Sequence, residues 1–354
     1  MTTIINGSSP SVTFSDGTVQ TTAYPTNYTL GFKNRLINGG MTIDQRNAGA
    51  SLTITNTSNY TYTLDRWAAY GTVASKFSVQ QNAGSVTPPA GYINYLGVTS
   101  LSAYTVGAAE SFVITQFIEG LNVADLNWGT ANAQTVTLSF WVRSSLTGTF
   151  GGTLQNSAQN YSYPFSYTIS SANTWTQISV TVAGPTAGTW LTTNGIGLRV
   201  WFGLGAGSSV SGTAGAWAAV AVVSTTGATS VVGTNGATFY ITGVQLELGS
   251  AATAFDFRDY GRELILCQRY YEVGPYFRYD GAVVTGYSTV MPVYFEVKKR
   301  ATPSVTLSGT TFVGNISAAA ANDLYTQNFN MYLTVTATGG GVGLVSTITI
   351  SAEL

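Results

Sequence analysis

The sequence predicts a mainly β protein whose largest part is an antiparallel β-sandwich. The chain of 354 residues is only 8% charged and contains 40 Gly and 21 Tyr, a composition that favours strands and turns over helices. Several segments alternate apolar and polar residues with the period of a half-buried strand. Turn signals separate these segments, with no helical period between them, which is typical of a sandwich.

The clearest strand patterns lie in the middle of the chain. Residues 136–143, with the sequence VTLSFWVR, alternate between an apolar face and a more polar face, and residues 175–182 and 196–202 repeat the pattern. Such alternation gives each strand one side for a core and one side for solvent. Residues 203–237 are rich in Gly, Ser and Ala, and they predict a long loop that carries one strand pair.

The first 30 residues contain short polar strand patterns. Two of these patterns flank Asp16 and Gly17, and the Asp-Gly pair is a strong hairpin signal. A segment this small cannot bury a core of its own. We therefore expect residues 1–30 to depend on a partner or on further copies of the chain.

The composition changes after residue 259. Residues 260–272 surround a short apolar run with charged residues and predict a helical connector, which needs a packing partner because it is short. Strand patterns with little contrast between their faces return from residue 280 to 354, which suggests burial between subunits. The sequence thus predicts an N-terminal segment at 1–30, a sandwich at 31–259 and a C-terminal β assembly domain at 260–354.

Several phrases of the sequence are similar to bacteriophage structural proteins. Residues 245–249 (QLELG), 255–258 (FDFR) and 267–271 (CQRYY) resemble the end of a jelly-roll domain in those proteins. Residues 12–23 (VTFSDGTVQTTA) resemble the N-terminal piece of phage tail-fibre proteins. The resemblance implies a jelly roll like that of carbohydrate-binding modules, a virion-attachment role for residues 1–30, and a homotrimer.

The function implied by the resemblance is that of a trimeric tail fibre or receptor-binding protein on the virion of a tailed bacteriophage. Such a protein contacts other virion proteins through its N-terminal segment and recognises a glycan on the host surface. Two alternatives stay open at this point. One is a capsid decoration protein or head fibre, and the other is a fibre-borne glycan depolymerase.

The composition excludes several classes of function. The chain has no His and one Cys, which excludes a His-dependent catalytic triad, a His-ligated zinc site and an internal disulfide. A net charge of −1 offers no basic field for nucleic acid. No apolar run reaches the roughly 18–20 residues of a membrane helix, and we expect neither membrane insertion nor a secretory signal. The acidic residues show no catalytic pair, so we predict no catalytic residue and no enzyme.

Two groups of aromatic residues fit a sugar-binding surface, which combines flat aromatic faces with polar groups. One is an aromatic stripe at 161–167, and the other consists of Trp–Arg pairs on the outward parity of two strands. The competing interpretation places these residues in the core or in a subunit interface. The candidate ligand residues are Trp141, Arg143, Tyr161, Tyr163, Tyr167, Arg199, Trp201 and Trp217.

No cofactor is predicted for this chain. Jelly-roll carbohydrate modules often hold a structural Ca²⁺, and Asp65, Asp256 and Asp259 are the candidate ligands for such an ion. No loop shows the alternating Asp/Asn pattern that would strengthen this hypothesis. We expect Cys267 to be a packed residue of the connector.

Overall fold

The computed structural model describes residues 32–354 and, before them, the backbone of three short strands. These are β1 (Ile4–Asn6), β2 (Ser11–Thr13) and β3 (Val19–Gln20), which pair antiparallel in that order. The antiparallel pairing of β2 with β3 agrees with the predicted hairpin, whose turn residues lie outside the described residues. The attachment role predicted for residues 1–30 rests on this segment and stays a prediction.

The central part of the chain consists of 14 strands and four short 3-10 turns, at Ala83–Ser85, Gly120–Asn122, Ala124–Leu126 and Ser208–Val210. The strands are β4 (Leu52–Thr53), β5 (Thr61–Tyr62), β6 (Trp67–Gly71), β7 (Phe77–Gln81), β8 (Leu96–Ser100), β9 (Ser111–Glu119), β10 (Val136–Ser144), β11 (Gly148–Gln155), β12 (Ser162–Ile169), β13 (Thr176–Val182), β14 (Ile196–Ala206), β15 (Ser211–Gly212), β16 (Ser224–Thr225) and β17 (Thr238–Leu248).

Twelve of these strands form two six-stranded antiparallel sheets that face each other. The back sheet has the order β13-β10-β17-β8-β7-β4, and the front sheet has the order β12-β11-β14-β9-β6-β5. Consecutive long strands such as β9, β10 and β11 cross from one sheet to the other, as in a jelly roll. The two sheets confirm the predicted antiparallel β-sandwich. The pair β15–β16, which is parallel, confirms the one strand pair expected in the low-complexity stretch.

The core of the sandwich consists of the inward residues of both sheets. Leu138 and Phe140 of β10 meet Val200 and Phe202 of β14, and all four are at most 1% exposed. Phe140 and Phe202 pack edge to face, with ring centroids 5.1 Å apart. The period-2 alternation of each strand therefore decides which of its residues remain available on the outer faces.

The remaining residues form the helix α1 (Tyr260–Gln268) and a second β region. Asp259 caps α1 by accepting a hydrogen bond from the backbone N–H of Arg262, which confirms the predicted helical connector. The strands are β18 (Tyr271–Gly274), β19 (Phe277–Val283), β20 (Thr289–Tyr294), β21 (Ser304–Gly314), β22 (Ile316–Asn322), β23 (Asn328–Val335) and β24 (Gly339–Ser351). β24 pairs with β18, β19 and β21, and β23 pairs with β20 and β22.

Buried ion pairs fasten this C-terminal region to the sandwich. Glu353 pairs with the buried Arg66, whose guanidinium lies 3.6 Å from the ring centre of Tyr270. Glu119, at the end of β9, accepts hydrogen bonds from Arg269 at 2.7 Å and from the Tyr270 hydroxyl at 2.6 Å. Residues on both sides of the α1 connector therefore belong to one packed unit, which extends from Asn34 to Leu354. Among the described helices, none has the length and apolar character that crossing a membrane requires.

Candidate functional site

The outer face of the front sheet carries the arginine and tryptophan of β14. Leu198, Val200 and Phe202 point into the core, so the alternation turns Arg199 and Trp201 outward. Strand register places Trp201 opposite Thr153 of β11, and it places Arg199 opposite Gln155 of the same strand. Gln155 and Trp201 form the floor of a cleft, and their cross-strand partners Arg199 and Thr153 lie beside it.

One wall of the cleft is aromatic, with Tyr60 from the segment before β5 and Tyr70 from β6. The Tyr60 ring lies 4.9 Å from Phe117, 5.8 Å from Trp201 and 5.5 Å from Tyr70, measured between ring centroids. Tyr60 and Tyr70 are half-buried, whereas Trp201 is 2% exposed. Burial raises the pKa of Tyr60, and the positive charge of Arg199 acts in the opposite direction. The tyrosines thus present accessible ring surface above a buried tryptophan.

The opposite wall is the low-complexity segment, which returns across the same outer face. Ser224 of β16 packs directly over Gly151 and Gly203, where a Cβ atom at either glycine would lie 2.6 Å from its hydroxyl. Only glycine permits this close approach. Gln155 anchors the segment further along, since its side-chain amide donates to the Val222 carbonyl at 3.3 Å.

Between these walls lies a cleft of about 330 Å³. The side chains that matter for its chemistry are Asn59, Tyr60, Tyr70, Gln155, Gln159 and Trp201. None of the residues that line it is acidic or basic. The cleft therefore combines ring surfaces with neutral hydrogen-bonding groups.

Buried polar atoms without a protein partner concentrate along this floor. Among the described residues, no partner is found for the Trp201 indole N–H, the Gln155 side-chain carbonyl or the Thr153 hydroxyl, although each of these residues is at most 2% exposed. The Ser224 hydroxyl and the Nε and Nη1 atoms of Arg199 are likewise without a hydrogen-bond partner in the described part of the chain. Buried polar atoms are normally paired, because leaving them unpaired costs stability. We therefore expect these atoms to pair with a group from outside the described residues, such as ordered water or a ligand.

The arginines of the predicted Trp–Arg pairs contact different rings from those expected. The Arg199 guanidinium lies 4.7 Å from the ring centre of Phe117, its cross-strand partner on β9. The Arg143 guanidinium lies 5.6 Å from the ring centre of Tyr240, its cross-strand partner on β17. Directly opposed residues on neighbouring strands are closer than residues two apart on one strand, so each arginine contacts its cross-strand ring instead of the predicted tryptophan.

The other candidate ligand residues lie away from this cleft. Trp141 is half-buried on the outer face of the back sheet, where Arg143 also donates a hydrogen bond to the Asn173 carbonyl at 2.9 Å. Tyr167 is a core residue: it is 6% exposed and packs on Phe140 between the sheets. Its inward parity places it out of reach of a surface ligand, which corrects its inclusion in the candidate set.

Tyr161, Tyr163 and Trp217 form a second aromatic cluster. Trp217 stacks on Tyr161 with ring centroids 5.8 Å apart and planes inclined by 9°. It also packs edge to face on Trp128 and Trp190. The Trp217 indole N–H donates to the Ala183 carbonyl at 2.7 Å, so its polar group is already satisfied. Internal packing accounts for this cluster, and its role in ligand binding stays a prediction.

Sequence reasoning found Arg199 and Trp201 but missed Tyr60, Tyr70, Gln155 and Gln159. A signal was present at residues 60–62, where aromatic residues occupy positions of the same parity at the start of a strand without a clean polar face. No such pattern marks Gln155, which belongs to the site only because β11 is the neighbour of β14.

The three candidate calcium ligands bind protein donors. Asp65 accepts from the Gln45 backbone N–H at 2.6 Å, and Asp259 caps α1. Asp256 accepts from the Asn34 backbone N–H at 3.3 Å. Within the described part of the chain, no three acidic or Cys side chains come together as a metal site would require. The predicted structural ion stays untested.

Comparisons with known proteins find no matching family model and no matching curated protein. Among solved structures, the enzymatically active domain of tailspike protein 4 of bacteriophage CBA120 is 14% identical, with a TM-score of 0.31 over 61% of this chain and 21% of that one. The CBM22-1 xylan-binding domain from Paenibacillus barcinonensis is 11% identical, with a TM-score of 0.28 over 58% of this chain and 99% of that one.

A third similar structure is the family 11 carbohydrate-binding module from Clostridium thermocellum, in complex with a β-1,3-1,4-mixed-linked tetrasaccharide. It is 12% identical, with a TM-score of 0.26 over 56% of this chain and 95% of that one. At these identities and TM-scores the likeness carries no argument about function. The functional interpretation therefore depends on the geometry of the cleft.

Proposed function

We propose that this chain is a carbohydrate-binding protein whose binding site is the cleft on the front sheet. The observation that supports this most strongly is the set of buried polar atoms without a partner in the described residues, on the cleft floor at Gln155 and Trp201 and beside it at Thr153. A sugar offers hydroxyl groups that both donate and accept hydrogen bonds. It would satisfy an indole N–H and an amide carbonyl at the same time.

The aromatic wall supplies the second part of sugar recognition. Tyr60 and Tyr70 present ring faces to the cleft, and the apolar C–H surface of a pyranose packs against such faces. Both rings already line the cleft, so this contact requires no rearrangement of the core. The cleft thus matches both the apolar and the polar surface of a saccharide.

Catalysis has no comparable support in the cleft. Glycoside hydrolysis uses two carboxyl groups about 5–10 Å apart across the scissile bond, and the residues that line the cleft include no Asp or Glu. The buried carboxylates Glu119, Glu272 and Glu353 pair instead with Arg269, Lys299 and Arg66. We therefore propose binding without hydrolysis, and a fibre-borne depolymerase is the less supported alternative.

The biological setting that we propose is the virion of a tailed bacteriophage, in which the chain is a homotrimeric tail fibre or receptor-binding protein. The sequence phrases at 12–23 and 245–271 support this, since they resemble such proteins. Exposed large apolar side chains of the C-terminal region, such as Tyr276, Tyr287 and Tyr294, support assembly through that region. Three cleft copies on one trimer would gain avidity for a host surface glycan.

A capsid decoration protein or head fibre is the second candidate, because the same trimer could attach to the head through residues 1–30. Immunogold labelling of intact particles with antibody against residues 260–354 tests the setting. Gold at the tail tip supports a receptor-binding fibre, gold over the head supports capsid decoration, and unlabelled particles contradict the virion role. The mass of the purified full chain in solution tests the trimer.

A glycan array probed with the full chain tests binding itself. We expect the wild-type chain to retain a subset of oligosaccharides and Tyr70→Ala to bind the same oligosaccharides more weakly. Trp141→Ala, on the outer face of the opposite sheet, is the matched control and should bind as the wild type does. Absence of binding by a folded wild-type chain across the array would contradict the proposed function.

A further inference from the structure

The charge of Arg199 distinguishes it from the other buried basic residues of the described chain. Arg35 pairs with Asp125, Arg66 with Glu353, and Lys299 with Glu272. Arg199 is 7% exposed, and among the described residues no carboxylate lies within ion-pair distance of it. Burying a charge without a partner is costly, so proteins rarely leave one in this state.

The hydrogen bonds of Arg199 are also incomplete. Its Nη2 donates to the Ser157 carbonyl at 3.3 Å, whereas no residue that the structure describes supplies an acceptor for its Nε or Nη1. The face of the guanidinium rests on the Phe117 ring, which is a weak partner for a full charge. Burial lowers the pKa of Arg199, and only tyrosines act against this.

The position of Arg199 connects this charge to the cleft. Its cross-strand partner Gln155 and the residue two positions along the strand, Trp201, both line the cleft. The carbonyl that it contacts belongs to Ser157, in the turn that carries the cleft residue Gln159. Tyr60, on the aromatic wall, is close enough for the charge of Arg199 to act on its pKa.

We infer that the saccharide bound by the cleft is acidic and that Arg199 pairs with its anionic group. This inference rests on the proposed carbohydrate-binding function and specifies the ligand class. An anionic sugar such as a uronate or a sialate brings a counter-charge and additional acceptors for the guanidinium. A sulfated or phosphorylated sugar would provide the same chemistry.

The test is an array that carries uronate, sialate, sulfated and phosphorylated oligosaccharides beside the same glycans with the carboxylates reduced or the sulfate or phosphate removed. Wild-type chain should prefer the acidic member of a pair by about tenfold to a hundredfold, the range of a hydrogen bond to a charged group. Arg199→Met, which keeps the packing on Phe117, should lose this preference. The preference should also weaken at high salt.

Arg143→Met is the matched control, because Arg143 makes the same kind of cross-strand contact with a ring on the opposite sheet. It should keep the preference. Melting temperatures of all variants show whether each is folded, and removing a buried unpaired charge should not lower that of Arg199→Met.

The possible results distinguish the acidic preference, the role of Arg199 and the proposed function. Equal binding of acidic and neutral members by the wild type overturns the inference and leaves carbohydrate binding intact. Binding of neutral glycans alone by the wild type would also overturn the inference and leave carbohydrate binding intact. Unchanged acid preference in Arg199→Met, or a parallel loss of all binding and of stability, overturns the role of Arg199. Absence of any glycan binding overturns the proposed function and the inference together.

Discussion

Tyr60 covers Trp201 on the outer face of the sandwich, with ring centroids 5.8 Å apart and ring planes inclined by 57°. The tyrosine comes from the segment before β5, and the tryptophan comes from β14. Their contact makes the tryptophan the floor of the cleft and the tyrosine part of its wall. Substitutions at the two positions should consequently have different effects.

Trp201→Ala should lower stability. The side chain is 2% exposed and also packs on Phe117, so its removal leaves a cavity that should cost about 3–5 kcal/mol. Urea unfolding of wild type and variant measures this difference. Trp201→Phe is the companion variant, since it keeps an aromatic ring at this position and removes the indole N–H. An unfolding free energy of Trp201→Ala equal to that of the wild type would show that the ring is not packed as described.

Tyr70→Ala should weaken glycan binding with little loss of stability. Its ring is half-buried and lines the cleft, so the substitution removes ligand contact surface more than core packing. An aromatic contact is worth about 0.5–1.5 kcal/mol, which corresponds to a loss of affinity of roughly twofold to tenfold. Calorimetric titration with an oligosaccharide identified on the array measures the change. Unchanged affinity in a folded Tyr70→Ala variant would move the site elsewhere.

Trp217→Ala separates the cleft from the second aromatic cluster. Trp217 packs on Tyr161, Trp128 and Trp190, and its N–H is bonded to the Ala183 carbonyl. We expect a clear drop in melting temperature and glycan affinity close to that of the wild type. The reverse pattern, with affinity lost and melting temperature kept, would favour this cluster as the binding site.

Asp65 should make stability depend on pH. Its side chain is 0% exposed, and burial raises its pKa to about 6 despite the two donors of Gln45. The folded chain then binds the proton more tightly than the unfolded chain. The contribution of this carboxyl is fully present below its ordinary pKa of 3.8 and is lost as pH rises through about 6.

The comparison of wild type with Asp65→Asn isolates this effect, because the other titrating groups are common to both. The unfolding free energy of the wild type minus that of the variant should be larger at pH 4 than at pH 7. A pKa difference of this size corresponds to about 3 kcal/mol. A difference that stays constant from pH 4 to pH 7 would refute the assignment.

Lys299→Met should be strongly destabilising. Lys299 and Glu272 are both 0% exposed and pair with each other, so the variant leaves a buried carboxylate alone, at a cost of about 3–5 kcal/mol. Replacing both residues, as Glu272→Leu with Lys299→Met, should recover most of the loss, because apolar pairs often substitute well for buried ion pairs. Denaturant unfolding of the wild type, the single variant and the double variant measures the three unfolding free energies. A double variant no more stable than the single variant would argue against the pairing.

Local patterns made much of the fold predictable. The alternation at residues 136–143 lies in β10, and the charged and apolar mixture at 260–272 contains α1. The cleft was only partly predictable. Parity placed Arg199 and Trp201 outward, but parity along one strand gives no information about neighbouring strands. Gln155 and Tyr60 join the site through strand order and through the chain segment before β5, which are non-local properties.

Phe117 packs against the cleft residues Tyr60 and Trp201 and also contacts the residues that hold the C-terminal region on the sandwich. Its ring supports Arg199, and its carbonyl accepts a hydrogen bond from Arg66, which is held in turn by Glu353. A displacement of Phe117 would therefore disturb both the packing of Arg199 and the buried Arg66–Glu353 pair. The outer face of the front sheet and the C-terminal region should accordingly unfold together in one cooperative transition.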